Sequence, residues 1–250
     1  MTIIICTYCR KEVYTTLKVL NLLKEPFSNI KVLAVDNHGD EELKAFCVTT
    51  GVGYAQEEKL GLSHARNAGL ERTKGELVYF IDDDVYVTEE LLEDLSLINK
   101  RNQVVYSYVV SAALPVIDDE FVGVSLANSL SIHGKSIVPI GCSFGFYNSG
   151  NIRFDTSLGR VGRNLAGDEE NVLISELLAK GNELRLLNAS IVHRIGNKLN
   201  NEYIINYYKS ELLASGKHRR LRLLFHIIRS FFVKNRKVYR KSLIKVLREL

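Results

Sequence analysis

The first half of the sequence alternates short apolar runs with amphipathic segments, and this alternation restricts the possible folds more than any other feature. The apolar runs predict strands near 2–7, 30–36, 52–55, 77–82 and 104–110, and helical patterns lie between them at about 12–24, 40–49, 62–73 and 88–99. Strands that are apolar on both faces are typical of parallel sheets covered by helices. We therefore predict an α/β fold with a mainly parallel central sheet flanked by helices.

Polar side chains follow three of these predicted strands at the point where each strand ends. Thr7 ends the first, Asp36 ends the second, and Asp82 to Asp84 end the run "LVYFID" and extend it. In open α/β sheets, ligands bind at the carboxyl ends of the strands. The sequence therefore predicts a binding site at this edge of the sheet.

The acidic triplet in "FIDDDVYV" needs a counter-charge. Two unit charges about 4 Å apart repel by roughly 4 kcal/mol at an effective dielectric constant of about 20. Asp82 and Asp84 lie on one side of an extended segment, and Mg²⁺ or Mn²⁺ is commonly held by one or two carboxylates together with substrate phosphates. The alternative is a solvated acidic turn that begins the next helix, with Asp84 or Thr88 as its N-cap.

Composition and charge limit the class of protein. The chain has 250 residues with 46% hydrophobic content, enough for one large domain or for a domain with an appendage. Its first residues, "MTIIICTYCR", resemble neither a signal peptide nor a membrane span, so a cytoplasmic protein with reduced cysteines is expected.

The segment 217–250 differs from the rest of the chain. It holds 12 Lys and Arg residues against a single acid, Glu249, whereas the remainder is acidic on balance. Its apolar residues recur at helical spacing, which predicts two basic amphipathic helices that bind an anionic membrane surface. Alternatively, the apolar stripes pack on the preceding domain or form a homodimer. Binding to nucleic acid is not expected, because no base-reading module is present.

The second half of the chain gives weaker signals. Between about 111 and 160 the periodicity fades, and "PIGCSFGFYNSG" indicates tight turns. A helix is predicted at about 168–180 with Gly181 as its C-cap, followed by a strand in "LRLLNASIVH" and a helix near 200–215.

Five motifs, in order, carry a family resemblance: "TIIICTYCRKE", "KVLAVDNHGDE", "EKLGLSHARNAGLERTKGELVYFIDDD", "GDEENVLISELLAKG" and "ASIVHRI". From Thr2 to about Gly216 the sequence resembles family 2 of the inverting nucleotide-sugar glycosyltransferases, which have the GT-A fold. The resemblance implies a catalytic domain over 1–216, with 217–250 as an appended tail. It also implies transfer of a sugar from a nucleoside-diphosphate sugar, with a UDP-sugar expected, to a hydroxyl of a saccharide acceptor.

The resemblance also implies roles for the residues of the donor site. Asp82 and Asp84 match the metal-binding Asp-x-Asp motif, and His193 matches a histidine that completes the metal site or touches the diphosphate. The residues implied to contact the nucleotide or diphosphate are Thr7, Tyr8, Arg10, Glu12, Asp36, Arg66 and Asp83. Within this set Asp36 is expected to read the base and Arg66 to help hold the donor. Cys9 departs from the family's frequent Asn.

The acidic residues at the start of the predicted helix at 168–180 have two interpretations. In the first interpretation, the carboxylates are ordinary N-terminal charges that complement the helix dipole; they belong to Asp168, Glu169 and Glu170. In the resembled family, a Glu-Asp pair here includes the base that deprotonates the acceptor. One alignment makes Glu170 that base with Glu169 as its partner, and a shift of one residue makes the pair Asp168 and Glu169.

The basic tail indicates the acceptor, which we expect to be a lipid-linked saccharide at the inner face of the cell membrane, used in the synthesis of a cell-surface polysaccharide. Two alternatives stand beside this prediction. A sugar-nucleotide nucleotidyltransferase would release pyrophosphate instead of a nucleoside diphosphate, and a non-catalytic binder would bind nucleotide sugars without transfer.

Overall fold

A computed structural model describes residues 1–112, 143–161, 164–165 and 169–194 of the chain. Strands and helices alternate through the first half, and strands predominate in the second. The elements in chain order are β1 (Thr2–Thr7), α1 (Glu12–Leu23), β2 (Lys31–Asp36), α2 (Glu41–Thr50), β3 (Gly53–Gln56), α3 (Leu62–Arg72), β4 (Leu77–Asp82), β5 (Val85–Tyr86), α4 (Glu89–Ser96), β6 (Gln103–Ala112), β7 (Ser143–Tyr147), β8 (Arg160–Val161), β9 (Asn164–Leu165), α5 (Glu169–Ala179) and β10 (Glu183–Arg194).

The main sheet has the strand order β3-β2-β1-β4-β7-β6-β10-β5. The pairs β1–β2, β1–β4, β2–β3 and β6–β10 are parallel. The pairs β4–β7, β6–β7 and β5–β10 are antiparallel. The predicted α/β fold with a helix-flanked central sheet is confirmed, and the sheet is mixed because β7 enters between β4 and β6 in the opposite direction.

Two apolar layers cover the two faces of the sheet. Ile3 and Ile5 of β1 point into the layer formed with α1, α2 and α4, while Ile4 points into the layer formed with α3 and α5. This alternation follows from the pleat of a strand, which sends successive side chains to opposite faces. The layer next to α3 is aromatic: Phe80, Phe144 and Phe154 pack with ring centroids 5.3–6.2 Å apart. These rings pack in the apolar layer between the sheet and the helices α3 and α5.

Local signals explain where the helices begin and end. Asp40 caps α2 by accepting hydrogen bonds from the backbone N–H groups of Glu42 and Leu43. Thr88 caps α4 by accepting from Leu91 N at 3.3 Å, so the acidic triplet precedes this helix without capping it. Gly181 follows α5 with φ of 88°, a backbone conformation that ends a helix at little steric cost.

Several predictions fall outside the described residues. These are the amphipathic helices of 217–250, the helix near 200–215, the domain boundary at 216, Asp168, and most of the segment between 111 and 160. Among the helices that the structure does describe, no helix combines the length and the apolar character needed to cross a membrane.

Candidate active site

The carboxyl ends of β1, β2 and β4 bring Thr7, Asp36 and Asp82 to one edge of the sheet. In the parallel register of β1, Thr7 lies beside Asp36 of β2, and Cys6 lies beside Asp82 of β4. The three polar strand ends identified in the sequence are therefore neighbours. This confirms the geometric reason for expecting a site here.

The acidic triplet is neutralised in part by the loop that follows β1. Arg10 donates to Asp83 Oδ1 at 2.8 Å and to Asp84 Oδ2 at 2.7 Å, and Thr7 Oγ1 donates to Asp83 Oδ2 at 2.7 Å. Thr16 Oγ1 also donates to the Asp83 carbonyl oxygen. Burial raises the pKa of the Asp83 carboxyl to about 7, although Arg10 and Thr7 act in the opposite direction. Glu12 contributes to the charge around Arg10.

Asp82 differs from its two neighbours in exposure. Its side chain is 37% exposed, whereas those of Asp83 and Asp84 are 5% and 8% exposed. The Asp82 side chain is thus accessible at the edge of the sheet, whereas the side chains of Asp83 and Asp84 are buried. Among these three carboxylates, Asp82 is the most accessible to a ligand.

Arg66 lies at the centre of the site. Its side chain is only 3% exposed and is close to three carboxylates, with distances of 2.6 Å from Nη1 to Glu169 Oε1, 3.5 Å from Nη1 to Glu170 Oε2 and 3.9 Å from Nη2 to Asp82 Oδ1. The guanidinium carbon lies 5.3 Å from the centroid of the Phe154 ring. The guanidinium therefore connects the end of β4 with the start of α5.

The residue after Arg66 holds the segment before α5 in place. Asn67 Nδ2 donates to the Phe154 carbonyl at 2.9 Å, and the Phe154 N–H donates to Asn67 Oδ1 at 2.8 Å. Ser63 Oγ adds a hydrogen bond to the Leu158 carbonyl. The "SHARNAG" motif thus anchors residues 154–158, which precede α5 in the chain, to α3.

Glu169 and Glu170 have different environments. Glu169 is 2% exposed and accepts from Arg66 through Oε1, while its Oε2 is buried and has no hydrogen-bond partner within the described residues. Burial raises the pKa of Glu169 to about 7, with Arg66 lowering it and Glu170 raising it further. Glu170 is 18% exposed. A buried carboxylate oxygen without a partner is costly, so the site favours a hydrogen-bond donor at this atom.

Asp36 lies at the sheet edge but is fully buried. Its carboxylate accepts from the backbone N–H groups of His38 and Asp40 and from the Tyr54 hydroxyl. These bonds hold the turn after β2, so the geometry favours a structural role over the predicted contact with a base. Beside it, the exposed rings of Tyr8 and His38 meet edge to face with centroids 5.3 Å apart.

Asn37 was not singled out by sequence reasoning. Its Nδ2 donates to the carbonyl groups of Glu57 and Lys59, and its Oδ1 accepts from the Gly61 N–H at 2.7 Å. Because Gly61 precedes α3, Asn37 fixes the start of the helix that carries Arg66. The signal was the dipeptide Asp36-Asn37 at a strand end, since buried Asn side chains commonly organise turns.

His193 lies near the acidic triplet in the backbone register. It pairs with Val85 of β5, the residue directly after Asp84, and with Ser111 of β6. Its side chain is outside the described part of the structure. The predicted role of His193 at a metal or diphosphate therefore remains a prediction, as does that of Asp168.

A divalent cation fits the site by charge. Within the described residues no group of three or more His, Cys, Asp or Glu side chains is placed to share a metal ion. However, within the described residues the ion pairs of this region join two guanidinium groups, those of Arg10 and Arg66, to a larger set of carboxylates: Asp82, Asp83, Asp84, Glu169 and Glu170. Mg²⁺ and Mn²⁺ often need one or two protein carboxylates when phosphates supply further ligands, which matches the exposed Asp82.

Sequence comparison identifies the family of the N-terminal region. Residues 2–113 match the model described as "Glycosyl transferase family 2". A curated relative, glycosyltransferase GlyA of Streptococcus pneumoniae serotype 4, is 26% identical over 100 residues, covering 38% of this chain and 14% of the relative. The chain therefore spans only a small part of that relative's length.

Solved structures share the fold. The mannosyltransferase PcManGT from Pyrobaculum calidifontis, in complex with GDP-Man and Mn²⁺, matches with a TM-score of 0.60 and 15% identity, covering 88% of this chain and 64% of that one. S. aureus TarS 1–349 in complex with UDP-GlcNAc matches with a TM-score of 0.57 and 16% identity, covering 98% and 71%. These likenesses show the GT-A fold. Together with the sequence match, they identify residues 2–113 as a region of glycosyl transferase family 2, in a chain that has the GT-A fold of such transferases.

Proposed function

We propose that this protein transfers a sugar from a nucleoside-diphosphate sugar to a hydroxyl of a saccharide acceptor, with inversion at the anomeric carbon. The observation that carries the proposal is the position of Arg66 between Asp82 of β4 and Glu169 of α5. The Arg66 guanidinium thus lies between the sheet edge that would bind the nucleotide and the buried Glu169 carboxylate that would accept a proton. Glycosyl transfer needs the nucleotide-binding groups on one side of the transferred sugar and the proton-accepting carboxylate on the other.

The donor half of the site is formed by the ends of β1 and β2. Tyr8 and His38 offer exposed aromatic surface for a base, and Thr7, Arg10 and Glu12 lie around the adjoining acidic turn. Asp83 is expected to contact the nucleoside. PcManGT was solved with GDP-Man and TarS with UDP-GlcNAc, so both nucleotides belong in any test. We propose a UDP-sugar as the donor.

A divalent cation would be held by Asp82, with Asp84 and His193 as further ligands. Mg²⁺ or Mn²⁺ supplies positive charge that stabilises a departing diphosphate. Asp82 is exposed enough to bind such an ion, and Asp84 is already engaged by Arg10 on one oxygen. The solved complex of PcManGT contains Mn²⁺, which is consistent with this assignment.

We assign the role of general base to Glu169, with Glu170 as its neighbour at the more exposed side. The acceptor hydroxyl donates to Glu169 Oε2, the atom without a hydrogen-bond partner in the described residues. Its oxygen forms a bond to the anomeric carbon while the bond from that carbon to the diphosphate oxygen breaks. The proton passes to Glu169, and the electron pair leaves with the nucleoside diphosphate. A carboxylate whose pKa is about 7 is suited to accept a proton near neutral pH.

The acceptor is proposed from the sequence of the tail. The 12 basic residues of 217–250 and their helical apolar spacing favour binding at an anionic membrane surface. We therefore propose a peripheral protein at the inner face of the cell membrane that acts on a lipid-linked saccharide. Co-sedimentation with anionic liposomes that persists after removal of 217–250 would argue for packing of the tail on the domain or for a homodimer.

The decisive test of the function is a panel of nucleotide sugars incubated with purified protein and Mn²⁺, with released nucleoside diphosphate as the readout. We expect release from one donor and its loss in the double variant Asp82→Ala plus Asp84→Ala. The double variant Glu41→Ala plus Glu42→Ala, at two exposed positions of α2, is the matched control for loss of two acidic charges. Product NMR then reports the anomeric configuration.

Release of pyrophosphate in the same panel would favour a nucleotidyltransferase. Binding of nucleotide sugars without release of nucleoside diphosphate, even with saccharide acceptors present, would favour a non-catalytic binder. A retained anomeric configuration would contradict the proposed single displacement.

A further inference from the structure

We infer that Arg66 is a positioning residue for the base Glu169 and does not bind the donor diphosphate. This inference rests on the proposed function, because it assigns a role within that reaction. It differs from the expectation drawn from the family resemblance, in which Arg66 helps to hold the donor. Its basis is the set of contacts that surround the guanidinium.

Arg66 is much less accessible to a ligand than Arg10. Arg66 is 3% exposed, whereas Arg10, in the loop after β1, is 40% exposed on the same edge of the sheet. The aromatic rings of Phe80 and Phe154 lie within 6.0 Å of the Arg66 guanidinium carbon. Arg10 is therefore the accessible guanidinium for an anionic ligand, while Arg66 is packed inside the site.

The contacts of Arg66 with Glu169 and with Asp82 differ in length and burial. The Arg66 hydrogen bond to Glu169 is 2.6 Å long and both partners are almost fully buried, while the distance to the exposed Asp82 is 3.9 Å. Charge-assisted hydrogen bonds of this length between buried groups are among the strongest that side chains form. Among the three described carboxylates near Arg66, Glu169 is thus the tightest partner and Asp82, on the donor side, is the most distant.

Arg66 also affects the ionisation of Glu169. Burial disfavours the charged form of this carboxylate, and the charges of Glu170 and Asp82 disfavour it further. The positive charge of Arg66 opposes these effects. Arg66 therefore favours the ionised form of Glu169 and holds its Oε1, so Oε2 is the oxygen that lacks a hydrogen-bond partner among the described residues.

The shape of the guanidinium matters as well as its charge. Nη1 faces Glu169 and Glu170 while Nη2 faces Asp82, so one planar group sets the separation of α5 from the end of β4. A lysine ammonium is a single point charge and cannot present two separate nitrogen donors in a fixed plane. Arg66→Lys therefore tests geometry with charge retained, and Arg66→Gln tests charge.

The experiment measures binding and catalysis separately. With the donor found in the nucleotide-sugar panel, calorimetry gives the affinity for its nucleoside diphosphate, and a pH profile of kcat reports the base. For Arg66→Lys we expect the Kd to change by less than about threefold, whereas kcat at pH 7 falls by about tenfold or more because base catalysis is impaired. For Arg66→Gln the acid limb of the kcat profile moves to higher pH, because Glu169 loses the positive charge that favours its ionised form.

A second measurement does not depend on whether these variants fold. In a crystal structure of the wild-type protein with the same nucleoside diphosphate and Mn²⁺, we expect Arg66 to remain bonded to Glu169 and to lie beyond hydrogen-bond distance of every phosphate oxygen. A direct bond from Arg66 to a phosphate would overturn the inference.

The outcomes separate the inference from the proposed function. If the wild-type protein transfers sugar but Arg66→Lys weakens nucleoside diphosphate binding tenfold with an unchanged pH profile, Arg66 is a donor ligand and the inference is wrong. If the wild-type protein binds no nucleoside diphosphate and acts on no donor, the proposed function fails and the inference fails with it.

Discussion

Gly159 and Ser63 lie so close together that a Cβ atom on residue 159 would come within 2.6 Å of Ser63 Oγ. The same atom would lie 3.4 Å from Glu169 Cδ, and Gly159 has φ of +93°. We therefore expect Gly159→Ala to displace the segment that leads to α5 and to reduce kcat by about tenfold or more, since a small misplacement of a catalytic group is costly.

Gly150 provides a matched control. It also has φ of +93°, but a Cβ there would meet only Lys74 carbons at 3.7 Å or more. Both alanine variants should lose about 1–3 kcal/mol of unfolding free energy from backbone strain, and only Gly159→Ala should lose activity. Equal activity in the two variants, measured beside their urea unfolding curves, would show that this contact does not position the base.

The two glutamates at the start of α5 are expected to differ in their effect on catalysis. Glu169→Gln should lower kcat by roughly 10²–10⁴-fold, because a positioned base contributes about that much. Glu170→Gln removes a charge 3.5 Å from Arg66 and should lower kcat by less than about tenfold. Single-turnover rates at saturating donor and acceptor provide the comparison, and the reverse ranking would assign the base to Glu170.

The ring pair of Tyr8 and His38 should contribute to nucleotide affinity. Stacking of a base on an aromatic side chain is worth about 1–3 kcal/mol, so Tyr8→Ala or His38→Ala should weaken nucleoside diphosphate binding by roughly 5–150-fold. Calorimetry with nucleoside diphosphate and with inorganic pyrophosphate separates base contacts from phosphate contacts, and unchanged affinity in both ring variants would contradict the prediction.

Asp36→Asn should chiefly lower the free energy of unfolding, because the carboxylate holds the turn after β2.

The pKa values of the buried carboxyls predict an unusual dependence of stability on pH. In the folded protein the pKa of Glu169 is about 7, against an ordinary value of 4.5. The folded state therefore binds the Glu169 proton more tightly than the unfolded state, and the stabilisation is complete below about pH 4.5 and lost as the pH rises through about 7. Asp83, with a pKa of about 7 against 3.8, acts in the same direction.

Glu169→Gln resembles the protonated form and provides the measurement. Relative to wild type without added metal, the variant should gain unfolding free energy as the pH is raised from 5 to 8, as followed by urea denaturation. A constant difference over this range would mean that the carboxyl pKa is not raised in the folded protein.

Much of the fold follows from local patterns in the sequence. β1, β2 and β4 are continuous apolar runs that end in polar residues, and the structure places them within one residue of the predicted bounds. β7 was not predicted, because "SFGFY" contains a glycine within a segment that reads as turns, and its pairing depends on β4 and β6 far away in sequence. β5 has only two residues, too few to show periodicity.

The sequence allowed the position of the site to be predicted, but not the burial and the partners of its side chains. The acidic triplet could be placed at the sheet edge because strand ends meet there. The burial of Arg66 could not be foreseen, because arginine is usually exposed and its partner Glu169 lies 103 residues later in the chain. The role of Asp36 in the turn after β2 likewise depends on Tyr54, a hydroxyl donor from the next strand.

The position of β7 in the sheet sets the smallest piece of this chain that can fold as a unit. The segment matched to the family ends at residue 113, yet β7 (Ser143–Tyr147) lies between β4 and β6 and is bonded to both. A fragment cut at that boundary would leave β4 with an open, apolar edge and β6 without its connection to the first four strands, which favours aggregation. The family segment therefore leaves out β7 and β10, which pair with its strands, and we expect a shortened protein to fold only if it extends through β10.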